Sequence, residues 1–136
     1  MLNRWFSSFP CLKLKSTALF KNHSTFLLYG NSIANNWNIP SSLEQEIIQR
    51  DKVCVYCGVK FTSTKISKKT AASWEHIIND AKIITRKNIA LCCCGCNASK
   101  GQKQLSIWLQ SKYCKEKNIN FETVTQVIKN AIKNGE

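Results

Sequence analysis

Acid and histidine are scarce in this chain: eight Asp or Glu and two His stand against twenty Lys and Arg in 136 residues. One methionine, two prolines and five glycines complete the short supply. Each shortage excludes something. No apolar run approaches the roughly 20 residues a membrane-spanning helix needs, so no membrane partner is expected. There is no Gly-rich phosphate loop and no internal repeat, which removes nucleotide-cradling loops and solenoid arrays. The acid shortage leaves a formal net charge of +12, and a polyanion is the expected partner. It is steepest at the start, where residues 1–43 hold Arg4, Lys13, Lys15 and Lys21 and no acid, whereas residues 44–136 carry sixteen basic and eight acidic residues.

Cysteine is not scarce. Eight are present, and two C-x-x-C pairs, Cys54-Val55-Tyr56-Cys57 and Cys93-Cys94-Gly95-Cys96, bracket a 35-residue insert that contains Glu75-His76. Each such turn lets two sulfurs converge on one tetrahedral metal, so Cys54, Cys57, Cys93 and Cys96 are assigned to a structural Zn2+. Cys92 is the rival ligand, because three residues between Cys92 and Cys96 also suit zinc. Cys11, Cys92, Cys94 and Cys114 are left as thiols. The adjacent Cys92-Cys93-Cys94 is awkward for disulfides, and the paired spacing points to metal in a reducing compartment. That places the protein inside the cell, in the cytoplasm, with organelle targeting by residues 1–36 as the alternative. A chain of 136 residues supports one domain with a modest core, and a metal staple contributes folding free energy directly.

Along the chain, residues 1–36 read as a poorly ordered basic extension without sustained periodicity, and His23 lies within it. A central unit spans 37–112, and 113–136 forms a helical extension packed on it. Ser41 and Glu44 form a capping-box pattern ahead of a helix near 42–50. Residues 62–70, rich in Thr, Ser and Lys, read as an exposed loop. Ala72 to Ile78 alternates as a strand, with Trp74, His76 and Ile78 on one side and Glu75 and Ile77 on the other. Asn79-Asp80 supplies a turn, Ile83-Ile84-Thr85 a second strand, and Asn88 a cap. Leu105, Trp108 and Leu109 predict a helix of about nine residues. A final stripe of Val124, Val127, Ile128, Ala131 and Ile132 predicts another near 121–134, ending before Gly135.

Hydrolysing a phosphodiester needs a base to activate water and a cation to neutralise charge on the phosphate and leaving oxygens. His76 suits the base, since imidazole titrates near neutral pH. Glu75 and Asn97 offer hard oxygen donors for Mg2+ or another divalent ion, distinct from the soft sulfur site.

Trp74-Glu75-His76-Ile77, Asn88-Ile89-Ala90-Leu91 and Cys93-Cys94-Gly95-Cys96-Asn97-Ala98-Ser99-Lys100-Gly101 together resemble the HNH endonuclease family over about residues 52–101. The resemblance implies a small α+β fold, a zinc-stabilised ββα-metal module flanked by helices, with 37–112 as the nuclease domain. It implies that His76 is the general base, that Asn88 fixes the ββα geometry through backbone hydrogen bonds, and that Asn97 serves the divalent metal. Lys100 and Lys103 would contact phosphate. Two departures stand out: Glu75 replaces the usual Asp, and Asn97 the final His. The leading expectation is a metal-dependent endonuclease acting on DNA, with RNA as the other substrate. The alternative is a catalytically weak zinc-knuckle nucleic-acid-binding protein. A thiol redox or metal-sensing role, suggested by Cys92-Cys93-Cys94, is the third.

Overall fold

The fold is organised from its first helix, whose entry is set by Asn35. In the computed structural model, which describes residues 33–135, Asn35 Oδ1 accepts from the backbone N–H of Trp37 and Ile39, both at 3.1 Å, and Nδ2 donates to the Ile39 carbonyl at 2.8 Å. The expectations placed on residues 1–32 lie outside the described residues. Helix α1 (Ser41–Arg50) follows Pro40 at φ −58°, and no side chain caps it. The expected capping box at Ser41 is therefore absent. Proline's fixed φ already sets the chain direction into the first turn, and Ser41 lies inside the helix.

Helix α1 buries Ile47 and ends on a charged clamp. Arg50 donates Nε and Nη2 to the two oxygens of Asp51, each at 2.7 Å, and Asp51 Oδ2 accepts from the Leu91 N–H at 2.9 Å. Arg50 also reaches the carbonyls of Arg86 and Ile89. The outer edge of the sheet thus gains a carboxylate acceptor where, among the described residues, no third strand pairs with it.

Strands β1 (Ala72–His76) and β2 (Ile89–Cys93) pair antiparallel, from Ala72 opposite Cys93 to His76 opposite Ile89. The second strand is not at Ile83-Ile84-Thr85. Those residues belong to a turn-rich connection in which Asn88 Oδ1 accepts from the Ile78 N–H at 2.7 Å, and Nδ2 donates to the carbonyls of Ile78 and Ile83. Asn88 therefore closes the strand connection and caps no helix. Helix α2 (Cys94–Lys100) starts directly where β2 ends, completing ββα topology.

Three short helices follow: α3 (Leu105–Trp108), α4 (Lys112–Glu116) and α5 (Gln126–Lys133). The single helix expected after residue 104 is split because Ser111 starts a new one, its Oγ accepting from the Cys114 N–H at 3.3 Å. Helix α5 begins later than expected, after Asn120 and Thr123 form a side-chain-bonded turn. One hydrophobic core runs from Ile39 to Ala131. At its centre fully buried Trp108 meets Tyr56 edge to face, with ring centroids 4.8 Å apart. The result is a small α+β module of ββα topology with flanking helices and a clustered four-cysteine site. Among the described residues no helix is long and apolar enough to cross a membrane.

Candidate metal centre

The first knuckle is a tight turn: Cys54 N–H donates to the Val59 carbonyl and Gly58 N–H to that of Cys54, both at 2.9 Å. Gly58 sits at φ +70°, where a side chain would be strained. Val55 N–H donates to the Leu91 carbonyl at 3.1 Å, fixing this knuckle to β2. The second knuckle is the β2–α2 junction itself, where Cys93 Sγ accepts from the Cys96 N–H at 3.4 Å.

These two turns bring the Sγ atoms of Cys54, Cys57, Cys93 and Cys96 within 4.8 Å of one another. A tetrahedron with Zn–S bonds of about 2.3 Å requires sulfurs roughly 3.8 Å apart. The Cys57 and Cys93 sulfurs are 3.8 Å apart. Four soft donors on two knuckles fit a structural zinc. Hydrogen bonds among the thiols spread their acidities: that from Cys54 is the largest cause lowering both Cys57 and Cys93, the latter to about 7, while Cys54 and Cys96 are raised. A divalent cation would take the place of the shared protons. Tyr113 Oη donates to Cys96 Sγ at 3.6 Å from α4.

Cys92 points away from this cluster, with its thiol toward Glu75 Oε2 at 3.9 Å, as strand alternation from Cys93 requires. It is a buried free thiol, as is Cys114.

The Glu75 carboxylate is already occupied. It is 4% exposed, and Oε1 accepts from Tyr56 Oη at 2.9 Å and meets Lys100 Nζ at 2.8 Å. Burial raises its pKa, and Lys100 is the strongest of the groups that pull it back down. Lys100 is fully buried, and its ammonium also bonds the His76 carbonyl and Asn79 Oδ1, both at 3.3 Å. Both side chains sit otherwise than their expected roles place them. Glu75 is directed into an internal ion pair, because alternation along β1 turns it toward Tyr56 and the end of α2. Lys100 has no exposed charge to offer a phosphate. Among the described residues, the four cysteines are the only His/Cys/Asp/Glu cluster with metal-binding geometry.

His76 lies on the opposite side of β1 from Glu75. The residue is 8% exposed, its Nε2 is buried without a hydrogen-bond partner among the described residues, and Trp37 covers the ring edge to face at 5.0 Å. Burial, then the nearby Lys100 charge, holds its pKa below 6.5, with Asp80 opposing. The imidazole is therefore neutral near pH 7, and among the described residues no partner orients it as a base. Asn97 donates Nδ2 to Ser73 Oγ at 2.8 Å and to the Trp74 carbonyl at 2.9 Å, so its amide ties α2 to β1 and leaves Oδ1 as the atom a cation would meet. Lys103 remains exposed, with Nζ on the Ser99 carbonyl at 3.0 Å.

Sequence reasoning missed Tyr56 and Trp37, which come from segments distant from β1 and carry no spacing signal. The four-cysteine cluster on a ββα frame is consistent with nucleic-acid binding, and no arrangement around His76 establishes hydrolysis. No family model, curated protein or solved structure matches this chain.

Proposed function

We propose that this chain is a zinc-stapled ββα module that binds nucleic acid, DNA foremost, and is catalytically weak. The observation that carries this reading is the buried Glu75–Lys100 pair beside a cysteine clamp on a strongly basic chain. The clamp and the net charge of +12 suit a folded polyanion binder. An internal ammonium neutralises the carboxylate that a hydrolytic metal would need, which weakens the case for catalysis. Zinc would be held by Cys54, Cys57, Cys93 and Cys96, and its contribution is structural.

Metal-dependent endonuclease activity is the second reading, favoured by the neutral Nε2 of His76, which has no partner among the described residues and is chemically able to accept a proton from water. It requires Trp37 to move and Glu75 to leave Lys100. Both readings meet in one experiment on the zinc-loaded protein. Labelled DNA is expected to be retained in a salt-dependent manner, while supercoiled plasmid with Mg2+ or Mn2+ remains uncut. Robust nicking that His76→Ala abolishes, with folding and DNA retention unchanged, would replace the first reading with the second.

A further inference from the structure

Positive charge is not spread evenly over the described surface. Residues 52–74 contain five lysines and no acid. Several basic side chains elsewhere find acidic partners: Arg50 with Asp51, Arg86 with Glu46, Lys100 with Glu75 and Lys112 with Glu116. Lys60, Lys65, Lys68 and Lys69 are exposed, and none of them takes part in an ion pair among the described residues. Three of these four lie in the loop of residues 62–70 between the first knuckle and β1.

That loop is built rather than loose. Thr62 N–H donates to the Thr70 carbonyl at 3.2 Å, and the two threonine hydroxyls meet at 2.6 Å across its base. Ile66 and Ser67 both donate N–H to the Ser63 carbonyl, at 3.0 and 3.1 Å. The loop is also anchored to the clamp: Gly95 N–H donates to the Lys69 carbonyl and Cys94 N–H to that of Ala71, both at 2.9 Å. The approach is close enough that a side chain at Gly95 would meet the Lys69 carbonyl and Tyr113 Oη, each at 3.3 Å. Tyr113 in turn lies under exposed Lys117, whose Nζ is 5.4 Å from the ring centroid. A fourth cation, at the C-terminal end of α4, thus borders the loop.

At the loop's turn, between Lys65 and Lys68, Ile66 is 77% exposed. A large apolar side chain held out in water by a hydrogen-bonded turn suits a partner that presents apolar surface between phosphates. A membrane would need a broad apolar face, and a lone isoleucine supplies little insertion energy.

We propose that the loop of residues 62–70 is the nucleic-acid-gripping surface, with Lys65, Lys68, Lys69 and Lys117 on the phosphodiester backbone and Ile66 against sugar or base surface. This rests on the nucleic-acid-binding reading and names the surface that performs it. Because the loop is preordered on the clamp, little ordering cost opposes binding.

The test uses the full zinc-loaded chain and fluorescence anisotropy with labelled single-stranded and duplex DNA, matching RNAs, and phosphatidylserine-containing vesicles. A loop variant, Lys65→Ala/Lys68→Ala/Lys69→Ala, is compared with a remote variant of equal charge, Lys87→Ala/Lys129→Ala/Lys133→Ala. Zinc content and melting serve as controls for both. The loop variant is expected to weaken duplex binding at least about tenfold and to flatten the log K against log salt slope by roughly 2 to 3, since each phosphate left without its lysine removes about 0.9 from the slope. The remote variant is expected to stay near wild type. Ile66→Ser is expected to weaken binding several-fold with the slope unchanged, and equal affinity would remove Ile66 from the surface. Equal losses in the loop and remote variants, or a wild-type slope in the loop variant, would overturn the proposal while nucleic-acid binding stands. A wild-type chain that binds no nucleic acid, or binds vesicles alone, overturns both.

Discussion

Two buried polar clusters lie on opposite faces of the β2–α2 junction, and they are completed in opposite ways. The four knuckle sulfurs lie within 4.8 Å of one another and pair with no cationic side chain among the described residues, whereas Glu75 receives the ammonium of Lys100 and the hydroxyl of Tyr56. Cys92 and Cys93, adjacent in sequence, face one cluster each. The first cluster is shaped to receive an ion from solution. The second carries its own positive charge on the chain. On this ββα frame the carboxylate before the histidine, turned inward by strand alternation, is met by a cation from the helix.

The comparison breaks most severely at the knuckles. Cys57→Ser or Cys96→Ser is expected to lose zinc and cooperative melting together, since the ligand set closes the chain between Cys57 and Cys93 and supplies folding energy outright. Metal analysis with calorimetry checks this, and one tightly held zinc with a sharp melt in either variant would remove the staple role.

Next in size is the internal pair. Lys100→Met strands a buried carboxylate and is expected to cost about 3–5 kcal/mol in denaturant unfolding. Adding Glu75→Gln, which keeps an acceptor for Tyr56, is expected to recover most of that loss. If the double variant is no more stable than Lys100→Met alone, the two groups are not a closed pair.

The smallest effect is a pH trend. Because folding lowers the pKa of His76 below its ordinary 6.5, the unfolded chain binds a proton that the folded chain refuses as pH falls through that value. This contribution to stability is complete above pH 6.5 and lost below it, down to the folded pKa, with a slope of at most about 1.4 kcal/mol per pH unit. Glu75, raised from 4.5, has the opposite sign and loses stability as pH rises through its folded value. His76→Gln removes only the first trend, so urea midpoints of the two proteins from pH 5 to 8 separate them. Identical pH profiles would mean the ring is not shielded by burial and Trp37.

What the sequence made readable was local or carried by spacing. The knuckles, β1 with Glu75 and His76 on opposite sides, and the apolar stripe of α5 all follow from neighbours a few residues apart. Strand β2 escaped because Ile89 to Cys93 is buried at every position, so it has no alternation to reveal it. Ile83-Ile84-Thr85 had the right propensity, but the side chain of Asn88 spends the nearby backbone groups on a turn. The fate of Glu75 depended on Tyr56 and Lys100, which reach it only after the sheet and α2 are assembled. The lysines of residues 62–70 were visible as an exposed loop, but their anchoring to Gly95 was not.

The closure made by Asn88 also bears on how this chain can change length. Its amide fastens the strand ends at Ile78, and exposed Ala81 and Lys82 lie beyond that fastening in a turn where Lys82 N–H donates to Asp80 Oδ1 at 2.9 Å. Segments inserted between those two residues would lengthen a loop whose ends are already held, at about 0.6 kcal/mol per doubling, without disturbing strand register. The module thus has a place where new sequence can be added while its clamp and sheet stay as they are.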